Sequence, residues 1–489
     1  MSFWLDTKDV FSGRRSLGNV VKSKIVGYRT IRVALMGSRE SGKTVFLAAL
    51  ENHLREHSLH PEDFPLGGRI IDWYKHALSG KKEIYGIPRF EYQSIREQLQ
   101  KGEWPEKTMA SSILAMRLGI TDRKGKQEDV QLEIVDVPGE RIADFAMRGR
   151  SYRQWSRWLE EESSADYQAY LRKVKEAGPV AREDLFSAYR DFIAEEYKSY
   201  APCITPSTVK LGLDGKARGG DPDLFRQAIN GVPVGFTDRK GKVWEFLPLP
   251  EQCFDEKSWR KLISEFEKSY TQYVKKVVRP VADWMEGAEK LIYLVDMLSL
   301  LQAGGEACAA ERQYGEAAIG ALCSKKSDGV LNRMGKWAKN FLWNTHIHSV
   351  YIVATKGDCV WSSQNRDNLA TLAKDLFRGT TQSLDRGVKC GAAIPCAAVC
   401  TTKERQDGTP GLEGKILDPR QPDSMPILQR WIPSNVPDRL PGSSEEWDAR
   451  IAAGEFNYHI AFPAFDPARI CPPKHINLNL IVEAILDRK

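Results

Sequence analysis

Residues 37–44 read GSRESGKT and directly follow the apolar run IRVALM at 31–36. Two glycines, a lysine and a threonine at these offsets form the G-x-x-x-x-G-K-[ST] pattern, which demands a particular local fold. The glycines let the backbone curl so that successive N–H groups point inward at an anion. A helix that starts there aims its positive end at the same place. The flanks must therefore be a buried strand and a helix. The run 31–36 is short and apolar, and VFLAALENHL sets Phe46, Leu47, Leu50 and Leu54 on one helical face. Gly37, Glu40, Ser41, Gly42 and Lys43 are thus expected to cradle phosphates, with Lys43 at the β/γ-phosphates and the Thr44 hydroxyl on Mg²⁺. The alternative is a glycine-rich turn with no ligand.

A phosphate loop alone does not choose between ATPase, kinase and GTPase. The segment VQLEIVDVPGER (130–141) reads as a buried strand ending in Asp136, then a turn through Gly139. A D-x-x-G in this place sets a carboxylate to hold Mg²⁺ through water and a glycine N–H to sense the γ-phosphate. Asp, Pro and Gly also favour plain turns. The strand SVYIVATKGD (349–358) ends in Thr355, Lys356 and Asp358, which fits [NT]-K-x-D. A carboxylate there accepts from guanine N1–H and the 2-amino group together, a donor pair that adenine lacks, while the lysine stem covers the purine face. A polar turn is the plainer reading. AAIPCAAVC (392–400) leads to Thr401 and Thr402, where a loop backing the base is expected. KLIYLVDM (290–297) shows no chemistry of its own, and Asp296 is expected to cap a turn.

Strands near 31, 111, 130, 290, 349 and 392 alternate with helical patterns. This predicts an α/β chain with a mostly parallel sheet flanked by helices, a P-loop NTPase core of Ras-like type, with ligand at the carboxyl ends of the strands. At 489 residues the chain exceeds one typical core. The expected organisation is a basic N-terminal arm (1–30), a first part of the G domain (31–162) with an insertion at 57–107, a helical insertion (163–285), a second part (286–402), and a Pro-rich wrap with a C-terminal helix (403–489). Residues 57–107 and 163–285 interrupt the minimal pattern. The second insertion carries LFSAYRDFIAEEY and WRKLISEFEKSYTQYVKKVV, and GLDGKARGGDPD between them is expected to be a loop. Six prolines between Pro419 and Pro441 predict irregular chain there.

Composition adds compartment and partners. The chain is 42% hydrophobic and 28% charged, and LIYLVDMLSLLQA, its longest apolar run, is interrupted by Asp296, too short for a membrane span. The N-terminus lacks the order of a secretory signal, and nine cysteines without regular spacing are no disulfide framework. Both features imply the cytosol. Residues 1–44 hold nine Lys/Arg against three Asp/Glu. That basic arm is either solvated or in contact with anionic lipid or an acidic partner. No stacking motif or zinc finger supports a nucleic-acid partner.

The stretches GSRESGKTVFLAAL, LEIVDVPGE with SYRQWSR after it, LIYLVDMLSLLQAG, VYIVATKGD and FPAFDPARICPPKHINLNLIVEAIL span the chain from about residue 13 to its end. In order and content they resemble the bacterial YcjX-like family of P-loop proteins, regarded as stress-associated Ras-like GTPases. The resemblance implies GTP and GDP as ligands and an unidentified protein effector. It leaves open a membrane-associated partner and a place at the inner-membrane surface. The chain departs from the family at Arg141, where tryptophan is usual, at Asn479, where aspartate is usual, and at Cys400-Thr401-Thr402, compared with Ser-Ala-Lys.

Thr108, just before the strand SSILAMRLGI, is the candidate to close over Mg²⁺ and the γ-phosphate. Glu140 stands where Ras-type enzymes place a water-orienting glutamine; pairing with Arg141 or Arg148 is its other reading. Arg39, inside the loop, is placed either to stabilise transition-state charge or to pair with Glu40. His53, His57 and His60 share a helix face by spacing, without neighbours to complete a zinc site, and read as an exposed polar face. Cys390, Cys396 and Cys400 read as buried thiols. The expectation is a Mg²⁺-dependent GTPase acting as a slow switch. An ATPase and a nucleotide-gated interaction module are the rivals.

Overall fold

The computed structural model describes residues 28–37, 40–76, 82–105, 110–138, 141–145, 147–161, 165–198, 206–209, 228–323, 346–382, 384, 387–405, 409–416, 426–463 and 473–487. The chain divides into two compact units. One comprises Met1–Val137, Met285–Gly315 and Asn344–Lys489, and the other Pro138–Trp284 and Glu316–Trp343.

The first unit is built around one main sheet. Its strands are β1 (Arg29–Gly37), β2 (Ile70–His76), β3 (Ser112–Thr121), β4 (Gln127–Asp136), β5 (Lys290–Val295), β6 (Ser349–Ala354), β7 (Lys389–Cys390) and β8 (Ile394–Pro395). The order is β7-β6-β5-β1-β4-β3-β2, with β8 also on β6. Pairing is parallel from β7 through β4, and β3 and β2 join antiparallel. Toward their carboxyl ends β1 and β5 are apolar on both faces, as a sheet covered by helices on each side requires: Leu291 through Val295 of β5 and Val33 through Gly37 of β1 are buried.

Register decides where the site can form. Leu35 lies opposite Asp136, Gly37 opposite Leu294, Val295 opposite Ala354, and Ala354 opposite Pro395. The carboxyl ends of five strands thus share one edge, and each loop that the sequence singles out leaves from it. On one face, the helix Lys43–Glu56 buries Phe46, Leu47, Leu50 and Leu54. The closing helix Leu478–Leu486 buries Leu478, Ile481, Val482 and Ile485 in the same core. Lys290 Nζ donates to the carbonyls of Ala484 (2.7 Å) and Asp487 (2.8 Å), satisfying the open end of that helix.

Three features depart from the sequence expectations. The insertion after the first helix contributes β2 to the main sheet, which the residue pattern did not reveal. The Pro-rich region holds a three-stranded antiparallel sheet of Thr402–Glu404, Leu412–Ile416 and Ile427–Trp431 where irregular chain is predicted. Its prolines flank the strands and do not interrupt them. His53 and His57 are not on an exposed face. Both are buried, because His53 stacks on Phe64 with His475 edge-on, and His57 bonds the Phe64 carbonyl and the Ile71 N–H. Cys396 is buried as expected, whereas Cys390 is exposed and Cys400 lies between the two.

The second unit is largely helical among its described residues, with helices Ala165–Ala177, Arg182–Lys198 and Arg260–Tyr273 and a short hairpin of Gly235–Thr237 and Val243–Glu245. The segment SYRQWSR forms the start of the helix Tyr152–Glu161, whose Tyr152 and Trp155 sit in an aromatic core with Phe246, Phe266 and Tyr270. The stretch GLDGKARGGDPD lies outside the described residues. No helix among the described residues is long and apolar enough to cross a membrane.

Candidate functional site

The loop after β1 has the backbone that its glycines predict. Gly37 sits at φ +148°, and a Cβ there would lie 2.3 Å from the Leu294 carbonyl oxygen, so only glycine fits. Gly42 sits at φ +89° in open space, where its conformation, not crowding, demands glycine. Glu40 also takes a left-handed φ of +58°, and its side chain is exposed, whereas Ser41 is buried. Lys43 Nζ donates to the Gly37 carbonyl at 2.9 Å, which lays the ammonium back across the loop mouth. The helix begins at once, with Phe46 N–H donating to the Gly42 carbonyl at 2.8 Å, so its first turn opens onto the same loop.

Asp136 ends β4 in parallel register with Leu35, two residues before the loop begins, and is buried. Thr44 is half-buried at the start of the helix. A hydroxyl and a carboxylate are hard oxygen donors, the type that Mg²⁺ takes beside phosphate oxygens. Arg39, Thr108, Gly139 and Glu140 lie outside the described residues. Arg141 and Arg148 have carboxylate partners in Asp144 (3.4 Å) and Asp283 (2.9 Å).

At the far end of the same edge stands Thr355-Lys356-Gly357-Asp358. Thr355 N–H and hydroxyl both donate to the Val295 carbonyl, at 2.9 and 3.3 Å. Gly357 N–H donates to the Cys396 carbonyl at 2.9 Å. The Asp358 carboxylate is buried, and its Oδ2 accepts from Thr401 N–H at 2.7 Å and from the Thr401 hydroxyl at 2.9 Å. Burial pushes the Asp358 carboxyl up from the usual range, opposed by these bonds from Thr401. The Thr402 hydroxyl donates to the Asp358 carbonyl. The loop that supports the carboxylate is therefore Thr401-Thr402-Lys403. Shifted by one residue from the expected Cys400-Thr401-Thr402, it is a closer counterpart of Ser-Ala-Lys. A pocket of about 630 Å³ opens beside it, lined in part by Asp358, Thr402, Lys403 and Lys474.

One residue of this site was not legible in the sequence as part of it. Asp296 does cap the helix Met297–Ala303, accepting from Ser299 N–H at 3.1 Å, as expected of a turn cap. It also holds the Lys356 ammonium. No local pattern signals that pair, because its members are 60 positions apart.

Two departures from the family resemblance have local reasons. Arg141 is buried in the second unit, where its guanidinium donates to Ser207 Oγ (3.1 Å) and Tyr273 OH (3.0 Å). Both hydroxyls and the Ser207 N–H also meet the buried carboxylate of Asp144, so the guanidinium belongs to a closed polar cluster that an indole could not complete. Asn479 donates its amide to the Pro65 carbonyl at 3.0 Å, a bond that an ionised aspartate cannot make.

The profile of the YcjX-like family, DUF463, matches residues 31–209 and 237–489. The chain is 25% identical to the Ras-like GTPase YcjX of Escherichia coli (strain K12) over 502 aligned positions, covering 94% of this chain and 96% of that protein. It is 25% identical to the Ras-like GTPase YcjX of Shewanella oneidensis over 515 positions, covering 94% and 95% of the two chains.

Proposed function

The chain belongs to the YcjX-like family, and on that premise we propose that it binds guanine nucleotides and hydrolyses GTP slowly, as a Mg²⁺-dependent switch. The observation that carries the reading is the buried Asp358 carboxylate. Thr401 engages its Oδ2, and Oδ1 accepts from the Cys359 thiol at 3.9 Å, a weak donor that guanine N1–H and the 2-amino group can displace. The names of the two relatives support the same ligand class. Adenine offers no matching donors, which disfavours an ATPase.

In this reading Lys43 and the N–H groups of Gly37, Glu40, Ser41 and Gly42 hold the phosphates, Thr355 and Lys356 flank the base, and Thr401 fixes Asp358. Gly139 would report the γ-phosphate. Thr44, Asp136 and Thr108 are the oxygen donors for Mg²⁺, which neutralises phosphate charge when bound. Water attacks the γ-phosphate, with Glu140 to orient it and Arg39 to meet the charge that develops. No glutamine follows Gly139 and no arginine stands just before Thr108. Two usual sources of acceleration are thus missing, and turnover should lie at about 10⁻⁴–10⁻² s⁻¹, the range of Ras and G-protein α subunits without a partner.

A second reading, a nucleotide-gated interaction module, is favoured by one feature. The chain enters the second unit at Pro138, two residues after Asp136, and Arg141 is anchored in that unit by the Asp144 cluster. The effector and the stress role follow only from the resemblance, and a cytoplasmic or membrane-peripheral place from the resemblance together with composition and charge. Phosphate release from GTP and from ATP tests the enzyme reading. Slow release from GTP alone, abolished in Lys43→Ala, supports it; partner-free turnover above about 1 s⁻¹ contradicts the switch.

A further inference from the structure

We infer that Asp296 is a positioning residue for the purine: it holds the Lys356 ammonium so that the lysine stem lies ready against the base. This rests on the guanine-nucleotide reading above and adds to it a residue that touches neither base nor phosphate.

β5 and β6 are parallel neighbours with Val295 opposite Ala354, so the residues that leave their carboxyl ends emerge side by side. Asp296 is the first residue past β5, and Lys356 is the second past β6. The Thr355 N–H bond to the Val295 carbonyl extends the ladder one step and fixes the spacing of the two exits. Lys356 then turns into a left-handed φ of +61°, a conformation that a lysine keeps only when its surroundings impose it. Cys359 N–H closes that turn on the Lys356 carbonyl at 2.9 Å, and Asp296 takes the ammonium. Backbone and side-chain head are both pinned.

The carboxylate is well placed for this work. Its side chain is 5% exposed, against 18% for Lys356, so the pair meets where water screens it little. Asp296 does not depend on the lysine for its own hydrogen bonds, because Ser299 N–H and the Ser299 hydroxyl also donate to it. The helix cap orients the carboxylate, and the carboxylate orients the lysine. A lysine on a free four-carbon stem would lose rotamer entropy each time a base docked; one already tethered loses less. That difference should appear in nucleotide dissociation.

The test uses the full chain. Asp296→Asn keeps an acceptor for Ser299 N–H, so the cap survives, and removes the charge facing Lys356. The readouts are release of fluorescent GDP, the thermal midpoint without nucleotide, and coupling to Lys356→Met. We expect GDP release to accelerate about tenfold in each single variant, with the midpoint unchanged, and the double variant to be no faster than the faster single one. A merely structural cap would lower the midpoint and leave the two effects multiplicative, which overturns the inference. So does GDP release within about twofold of wild type. Should the asparagine variant fold poorly, Asp296→Ser retains the cap acceptor and answers the same question. Wild-type protein that prefers GDP to ADP while Asp296→Asn is unaffected sinks this inference alone. Wild-type protein without that preference sinks the guanine reading, and this inference with it.

Discussion

Asp358→Asn should invert base choice, and the geometry around the carboxylate sets the direction. Thr401 presents two donors to Asp358 Oδ2, its N–H at 2.7 Å and its hydroxyl at 2.9 Å. An asparagine there has one acceptor oxygen and one NH₂ group. Turning the NH₂ toward Thr401 would set it against a buried N–H, so the amide must place its oxygen on Thr401 and its NH₂ toward the base. Guanine N1–H and the 2-amino group would then meet a donor in place of an acceptor. Two bonds to a charged group, at about 1.5–3 kcal/mol each, are lost. GDP affinity should fall by at least about tenfold if one bond is lost and by at least about a hundredfold if both are lost in full. Xanthine carries a carbonyl where guanine has its 2-amino group, so XDP should bind better to the variant than to wild type. Competition titration of GDP and XDP against a fluorescent nucleotide measures both. A folded variant that binds GDP within about threefold of wild type and still rejects XDP would refute the assignment of Asp358 to the base.

Lys43→Ala should abolish tight nucleotide binding without lowering the thermal midpoint, since Lys43 lies partly exposed over the loop and not in the core; unchanged GTP affinity would remove the phosphate-loop assignment. Arg39→Ala should slow single-turnover GTP hydrolysis about tenfold while sparing GDP affinity, because GDP lacks the phosphate on which charge develops; equal rates would assign Arg39 to solvent or Glu40. Acid should destabilise the first unit through His53, whose imidazole burial lowers its pKa to about 3. Unfolded, that ring takes its proton near pH 6.5, so the folded state binds fewer protons below that pH, and stability falls as pH drops from 6.5 toward 3. At pH 5 the loss is about 2 kcal/mol, and urea midpoints of His53→Phe should show that much less acid sensitivity.

What was legible in the sequence was what local chemistry imposes. Gly37 and Gly42 are read from the chain because a backbone conformation needs them, Asp136 because it closes an apolar run, and Asp358 because it ends the T-K-x-D turn just past one. The parallel sheet followed from the spacing of those runs. Contacts between distant segments were not legible. The Asp296–Lys356 pair, the burial of His53 under Phe64 and His475, and the closed cluster around Arg141 depend on which segments meet in space. Helical spacing puts His53 and His57 on one face, but only the fold reveals that this face points inward. In the Pro-rich region, proline counts suggest irregular chain, yet they do not exclude short strands between the prolines, as Leu412–Ile416 and Ile427–Trp431 illustrate.

The central claim is that this chain discriminates guanine from adenine through Asp358. Equilibrium binding of GTP, GDP and ATP to the purified wild-type protein, with Mg²⁺ at fixed ionic strength, tests it most directly. The account predicts saturable binding of GTP and GDP, with ATP weaker by at least about a hundredfold, the equivalent of two charge-assisted hydrogen bonds. ATP bound as tightly as GTP would contradict it.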